Sequence, residues 1–138
     1  MKIVFTFLTI LFSLNFFGQN LSEIEYIQVN KKYTFQDEEN EYRLNSALKS
    51  RFEKRGYKVY FAEDGIPEEV KQNPCKKLIC DLDKGKGWLS TTVEIQLTDC
   101  NGNVVAKSEG NSRLKNRNKS FPAALDQAFK RITFLERN

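Results

Sequence analysis

Three thiols are the residues in this chain whose type alone promises covalent chemistry: Cys75, Cys80 and Cys100. All three lie in the stretch from Asn73 to Val105. An odd count leaves at least one without a partner inside the molecule. No histidine occurs anywhere. That removes the commonest general base, the commonest metal ligand and any Ser-His or Cys-His nucleophile pair. Three sulfurs at this spacing, with no histidine, make a poor zinc site, so neither a metal nor a cofactor is expected.

Two further patterns are tested for chemistry and set aside. Asp81 and Asp83 flank Leu82 and share one side of a strand. A carboxylate pair is able to do acid–base work, but no nucleophile or pocket accompanies it in the sequence, and strand solubility explains the pair more simply. Gly85-Lys86-Gly87 lacks the four residues between glycines that a phosphate loop needs, so nucleotide binding is rejected. No catalytic residue is assigned, and the chain is expected not to be an enzyme.

Two segments have the composition of a partner surface. Trp88, the sole tryptophan, stands in "DKGKGWLSTT" beside Lys84 and Lys86. By strand parity Leu89 turns toward the core and Trp88 away from it. Trp88 then either folds over the end of the core or faces a protein, a glycan or a membrane interface. "GNSRLKNRNKS" carries Arg113, Lys115, Arg117 and Lys119 and no acid. Extended, these four would share one face, about 6–7 Å apart. The row suits a phosphate- or carboxylate-bearing partner, or simply guards an exposed strand. It lacks interleaved aromatics, so nucleic acid is not expected.

The elements that must position these residues follow from periodicity. "SEIEYIQVN" (Ser22 to Asn30) reads as a first strand. Asp37, Glu38, Glu39 and Glu41 sit where a helix start favours negative charge. Leu44, Ala47, Leu48, Arg51, Phe52 and Arg55 then recur at helical spacing, with the arginine heads expected to reach water. Gly56 ends that helix. "YKVYFA" is a second strand, parallel to the first. Pro67 opens one helical turn. "KKLICDLD", "STTVEIQLTD" and "NVVAKSEG" form an antiparallel meander, its second turn a two-residue hairpin at Asn101-Gly102. "SFPAALDQAFKRI" is a closing helix, capped by Ser120 with Pro122 in its first turn. The expectation is an α/β two-layer sandwich: a mixed sheet of about five strands, order β-α-β-β-β-β-α, with the helices on one face.

Alternation along the strands sorts the cysteines. Leu78, Cys80 and Leu82 share the side of Val93, Ile95 and Leu97. If Leu78 faces Leu97 and Leu82 faces Val93, then Cys75 faces Cys100 and Cys80 faces Ile95 on the buried side. Directly opposed residues lie close enough for a disulfide. A Cys75–Cys100 bridge with a free, buried Cys80 is therefore expected. Three unpaired thiols and a Cys80–Cys100 bridge are the competing readings.

The front end, "MKIVFTFLTILFSLNFFGQN", has a basic start and an apolar run of about 15 residues, short of the roughly 20 that cross a bilayer. It reads as a signal peptide, residues 1–18, cut between Gly18 and Gln19. The protein is expected in the periplasm or outside the cell, with no transmembrane span after cleavage. Residues 19–138 then form one domain. Lys and Arg number 22 against 18 Asp and Glu, an imbalance too small to mark a nucleic-acid binder.

The signal ending "FFGQ", then "FEKRGYKVYF", "STTVEIQLTDCNGNVVAKSEGNSRLK" and "FPAALDQAFKRI", resemble small exported proteins of Bacteroidota. The resemblance covers most of the chain after the signal. It implies a cysteine before the meander and one in the "DC" turn, matching Cys75 and Cys100, with Cys80 as a departure. It brings no activity with it. The element order is similar, at the level of fold alone, to envelope accessory domains such as the N-terminal domain of TolB and CsgG-like proteins. The expectation from all of this is an exported, non-catalytic binding module of the cell envelope, its partner an envelope protein or an anionic glycan or lipid head group. The alternatives are an assembly subunit that uses a sheet edge and a hydrolase working through carboxylates.

Overall fold

A computed structural model describes residues 21–133. The proposed leader and its cut after Gly18 lie outside the described residues. The elements run β1 (Tyr26–Val29), α1 (Leu44–Lys54), β2 (Lys58–Phe61), α2 (Glu68–Gln72), β3 (Lys77–Lys84), β4 (Thr91–Thr98), β5 (Val104–Ser112) and α3 (Arg117–Lys130). The five strands form one mixed sheet in the order β2-β1-β3-β4-β5. β1 pairs in parallel with both β2 and β3, while β3, β4 and β5 are antiparallel. The expected fold class is the observed one.

The core lies between this sheet and two helices. Leu44, Leu48 and Phe52 of α1 and Phe121, Ala124, Leu125, Ala128 and Phe129 of α3 meet Ile27, Val29, Leu78, Cys80, Leu82, Val93, Ile95 and Leu97. The short α2 rests near the other side of the sheet, where Tyr26, whose side chain alternates with that of Ile27, donates to Glu69 Oε2 at 3.2 Å. No helix among the described residues is long and apolar enough to cross a membrane.

The meander register differs from expectation by two residues. Cys80 faces Leu97, not Ile95, and Leu82 faces Ile95. A shift of two preserves which side each residue points to, so Cys80 is still buried. The Cys75–Cys100 disulfide is present, but its cysteines are not opposed within the ladder. Cys75 lies in the single turn Pro74–Lys76 ahead of β3, and Cys100 lies in the turn after β4. Those two turns bring the Cα atoms to 4.9 Å.

The β4–β5 turn is also not the expected two-residue hairpin. Only Gly102 has a positive φ, +80°, where a type I′ turn needs two such residues. The Asp99 carboxylate instead accepts from the N–H groups of Asn101 and Asn103, each at 2.9 Å. The Asp99 amide closes onto the Asn103 carbonyl at 2.9 Å. The result is a three-residue loop ending in a left-handed glycine.

Both major helices start away from their expected positions. The acidic residues Asp37, Glu38 and Glu39 lie in an exposed loop and not in the first turn of α1, which holds no acid. Asn40, Tyr42 and Arg43 adopt left-handed φ values of 54–59°, which turn the chain before α1 begins. α3 starts at Arg117, three residues before Ser120, because the Asn116 side chain accepts from the Asn118 N–H at 2.9 Å. Ser120 is then a buried residue inside the helix, and Pro122 lies beyond its first turn.

The arginine heads of α1 also depart from expectation. Arg51 pairs with Asp126 of α3 at 2.6 Å. The Arg55 guanidinium lies 4.0 Å from the centroid of Phe129 and donates to the carbonyls of Phe129 and Ile132 at the end of α3. These groups bind one helix to the other and do not extend freely into water.

A buried polar cluster holds the segment between β1 and α1. Gln36 accepts from the Tyr33 N–H at 2.8 Å and donates to Asn45 Oδ1 at 2.7 Å and to the Glu41 carbonyl at 3.0 Å. Asn45 Nδ2 donates to the Asn30 carbonyl at 2.6 Å. Truncating Asn45 to alanine strands buried partners at both ends of this chain of bonds. The expected loss is about 2 kcal/mol, read as a lower urea midpoint with an unchanged slope.

The sheet edge at β5 is partly closed by α3. The Glu109 carbonyl accepts from Arg131 at 2.6 Å, and the Asn111 N–H donates to Gln127 Oε1 at 2.7 Å. Side chains thereby occupy backbone groups that strand addition would use.

Candidate ligand-binding groove

The β4–β5 ladder decides which surface residues meet. It sets Thr91 opposite Ser112. The loop entering β4 and the chain leaving β5 therefore emerge side by side at one end of the sheet. They border a groove of about 500 Å³ lined by Lys84, Gly87, Trp88, Leu89, Ser90, Thr91 and, across it, Ser112, Arg113, Leu114, Lys115, Arg117 and Phe121.

The two candidate segments are thus two walls of one site. Trp88 is 90% exposed and does not fold over the core. Leu89, expected to turn inward, is 77% exposed. The reason is that the ladder has ended: β3 stops at Lys84 and β4 begins at Thr91, so strand parity does not govern the residues between them. Leu114 adds a third apolar side chain, 53% exposed, on the facing wall. Its position between Arg113 and Lys115 was the signal available in the sequence.

The basic residues do not form one extended row. β5 ends at Ser112, and Arg117 and Lys119 belong to the first turn of α3. Lys84, Arg113, Lys115 and Arg117 line the groove; Lys86 and Lys119 are exposed but lie outside its lining. No carboxylate lines it among the described residues. Four cations around an apolar centre give the site a positive potential.

The floor is rigid. Phe121, 4% exposed, stacks on Tyr42 at 4.3 Å between centroids and on Phe35 at 6.0 Å. Tyr42 reaches it through one of the left-handed residues before α1. An unfavourable backbone conformation at a tyrosine persists only where surrounding packing enforces it; here the aromatic stack beneath the groove supplies that packing.

Known protein families and curated proteins contain no match to this chain. The remaining candidate groups are less able to form a site. Cys80 is buried, and burial pushes its thiol well above the usual range, so little thiolate exists near neutrality. Beside it the Tyr33 hydroxyl donates to the Cys80 carbonyl at 2.7 Å. Asp81 and Asp83 line a shallow depression of about 190 Å³ with Glu94 and Gln96, and burial raises the Asp81 carboxyl above its ordinary value. Glu94 is paired with Lys107 at 3.5 Å. No cluster of three potential metal ligands occurs among the described residues. A depression of about 400 Å³ beside α1 and α3 holds Arg51, Lys54 and Arg55, but the two arginines are engaged by Asp126 and by the end of α3.

Proposed function

We propose that this chain is an exported, non-catalytic accessory module of the cell envelope that binds an anionic partner through the Trp88 groove. One observation carries the reading: the sole tryptophan, two exposed leucines and four cations meet in a single cleft with no carboxylate in its lining among the described residues. Aromatic and arginine side chains are the groups that most often anchor a partner. Export is supported by the leader pattern of residues 1–18 and by the Cys75–Cys100 bridge, since disulfides persist outside the reducing cytosol. The resemblance to small exported proteins of Bacteroidota points the same way.

Retention on an immobilised sulfated polysaccharide tests the binding reading. Arg113→Glu with Lys115→Glu is expected to lower the eluting salt well below that of the parent chain. Trp88→Ala lowers it by less. The same double reversal at Lys32 and Lys71, exposed residues outside the groove lining, leaves most of the retention. Equal losses from the two double reversals would mean that net charge alone is responsible. Sequencing the N-terminus of protein recovered from the envelope fraction tests export, with Gln19 as the expected first residue.

A further inference from the structure

We propose that the groove's partner is the surface of an anionic lipid bilayer, with Trp88 and Leu89 entering the interface while the cations around them meet lipid phosphates. This rests on the groove being an anion-binding site and names what occupies it.

The apolar side chains decide between a bilayer and a soluble polyanion. A polymer bearing sulfates or carboxylates would satisfy Lys84, Arg113, Lys115 and Arg117, and a sugar ring could stack on Trp88. It would leave Leu89 and Leu114 in water, at 77% and 53% exposure. A bilayer interface accepts both kinds of group. Tryptophan favours the head-group level, and leucine favours the acyl boundary just beneath it. Lysine and arginine close to the surface are drawn to anionic head groups.

The placement fits as well. Trp88 and Leu89 are consecutive at the tip of the β3–β4 loop, and Leu114 tips the neighbouring segment after β5. Each tip is flanked by cations: Lys84 and Lys86 on one, Arg113 and Lys115 on the other. Both tips project from the same end of the sheet, because Thr91 faces Ser112. The helices pack on the face of the sheet, and Trp88, Leu89 and Leu114 stay exposed at this end.

The single tryptophan makes the test specific, because its emission reports the groove even if the apolar residues 3–17 also touch lipid. The full chain is titrated with vesicles of phosphatidylcholine containing phosphatidylglycerol, with phosphatidylcholine alone, and with soluble polyglutamate. The expected result is a blue shift of Trp88 with the anionic vesicles and quenching by brominated acyl chains. Neutral vesicles require many times more lipid. Lys115→Gln and Arg117→Gln each raise the lipid required about fivefold. Leu89→Ser weakens vesicle binding and leaves any response to polyglutamate unchanged. A response to polyglutamate without one to vesicles overturns the lipid assignment and keeps the anionic groove. Equal partition into neutral and anionic vesicles, or no bromine quenching, also overturns the assignment. Silence with vesicles and polyglutamate alike overturns the assignment and the groove reading together.

Discussion

Replacing Gly110 with alanine is expected to destabilise the fold by about 3 kcal/mol, the upper end of the range for overpacking a well-filled interior. Gly110 lies in β5 opposite Val93, directly under α3. A Cβ added there would sit 2.0 Å from the Ala124 carbonyl oxygen and 2.5 Å from the Ala128 nitrogen. Both are helix backbone atoms, so no side chain is able to swing aside. The whole helix would have to lift. Lifting it breaks the 2.7 Å bond from the Ser108 hydroxyl to the Ala128 carbonyl and opens the core around Leu125 and Phe129. The same change elsewhere in a chain often stabilises by about 0.4–1 kcal/mol, through the unfolded state. Gly110 has no positive φ, so its requirement is for space and not for backbone freedom. Gly87 is the control. Its added Cβ would meet the Ser90 carbonyl oxygen at an ordinary 3.7 Å, and Gly87→Ala is expected to change stability by less than about 1 kcal/mol. Urea unfolding of the two variants checks the contrast. A Gly110→Ala midpoint equal to that of Gly87→Ala would mean that α3 does not sit directly on β5.

Converting Cys75 and Cys100 to serine together is expected to cost about 3 kcal/mol. The bridge closes a sequence separation of 25 residues, and opening it releases that loop in the unfolded chain. Domains of this kind have about 5–15 kcal/mol in total, so the double variant should still fold at 25 °C with a markedly lower midpoint. The bridge lies at the end of β4 near Thr98, whereas the groove lies at the end near Thr91. Stability should therefore fall while ligand binding by the folded fraction is retained. Peptide mapping without reductant gives the matching chemical result. The Cys75 and Cys100 peptides stay joined, and Cys80 takes up an alkylating reagent only after unfolding. A cross-link containing Cys80 would contradict the burial of that residue and the pairing.

These two expectations differ in how far the sequence announced them. That Cys80 is the buried, unpaired thiol was legible because alternation is a local property of strands; Cys75 and Cys100 meet through turns and not through opposition in the ladder. Leu78, Cys80 and Leu82 had to share one side, and Leu82 at 3% exposure and Cys80 at 1% are indeed buried there. The register was legible only to within two residues, because a shift of two leaves every side chain on its own side. From spacing alone Gly110 is the end of a strand and the start of a basic segment. Its role depends on a helix that follows it in sequence and returns across it.

The groove shows the same division. Both walls were visible as compositions, one around Trp88 and the other from Arg113 to Lys119. Their union follows from the β4–β5 register: the three-residue turn pairs Thr98 with Val104, and a bulge between Leu97 and Thr98 shifts the ladder by one, so that Thr91 meets Ser112. That step joins segments more than twenty residues apart and requires the turn to be placed first. The outward turn of Leu89 was not legible, because alternation ends with the ladder and a loop has no period.

By itself, then, the sequence determined the classes of element, the side on which each strand residue lies, the cysteine left unpaired and the absence of histidine chemistry. These follow from spacing along the chain and from side-chain type, and neither needs a partner element to be known. Only the tertiary structure decided the exact register, the starts of α1 and α3, the close seat of α3 on Gly110 and the meeting of Trp88 with the basic segment. Each of those depends on atoms brought together from distant parts of the chain, where packing and hydrogen bonding between elements outweigh local preference.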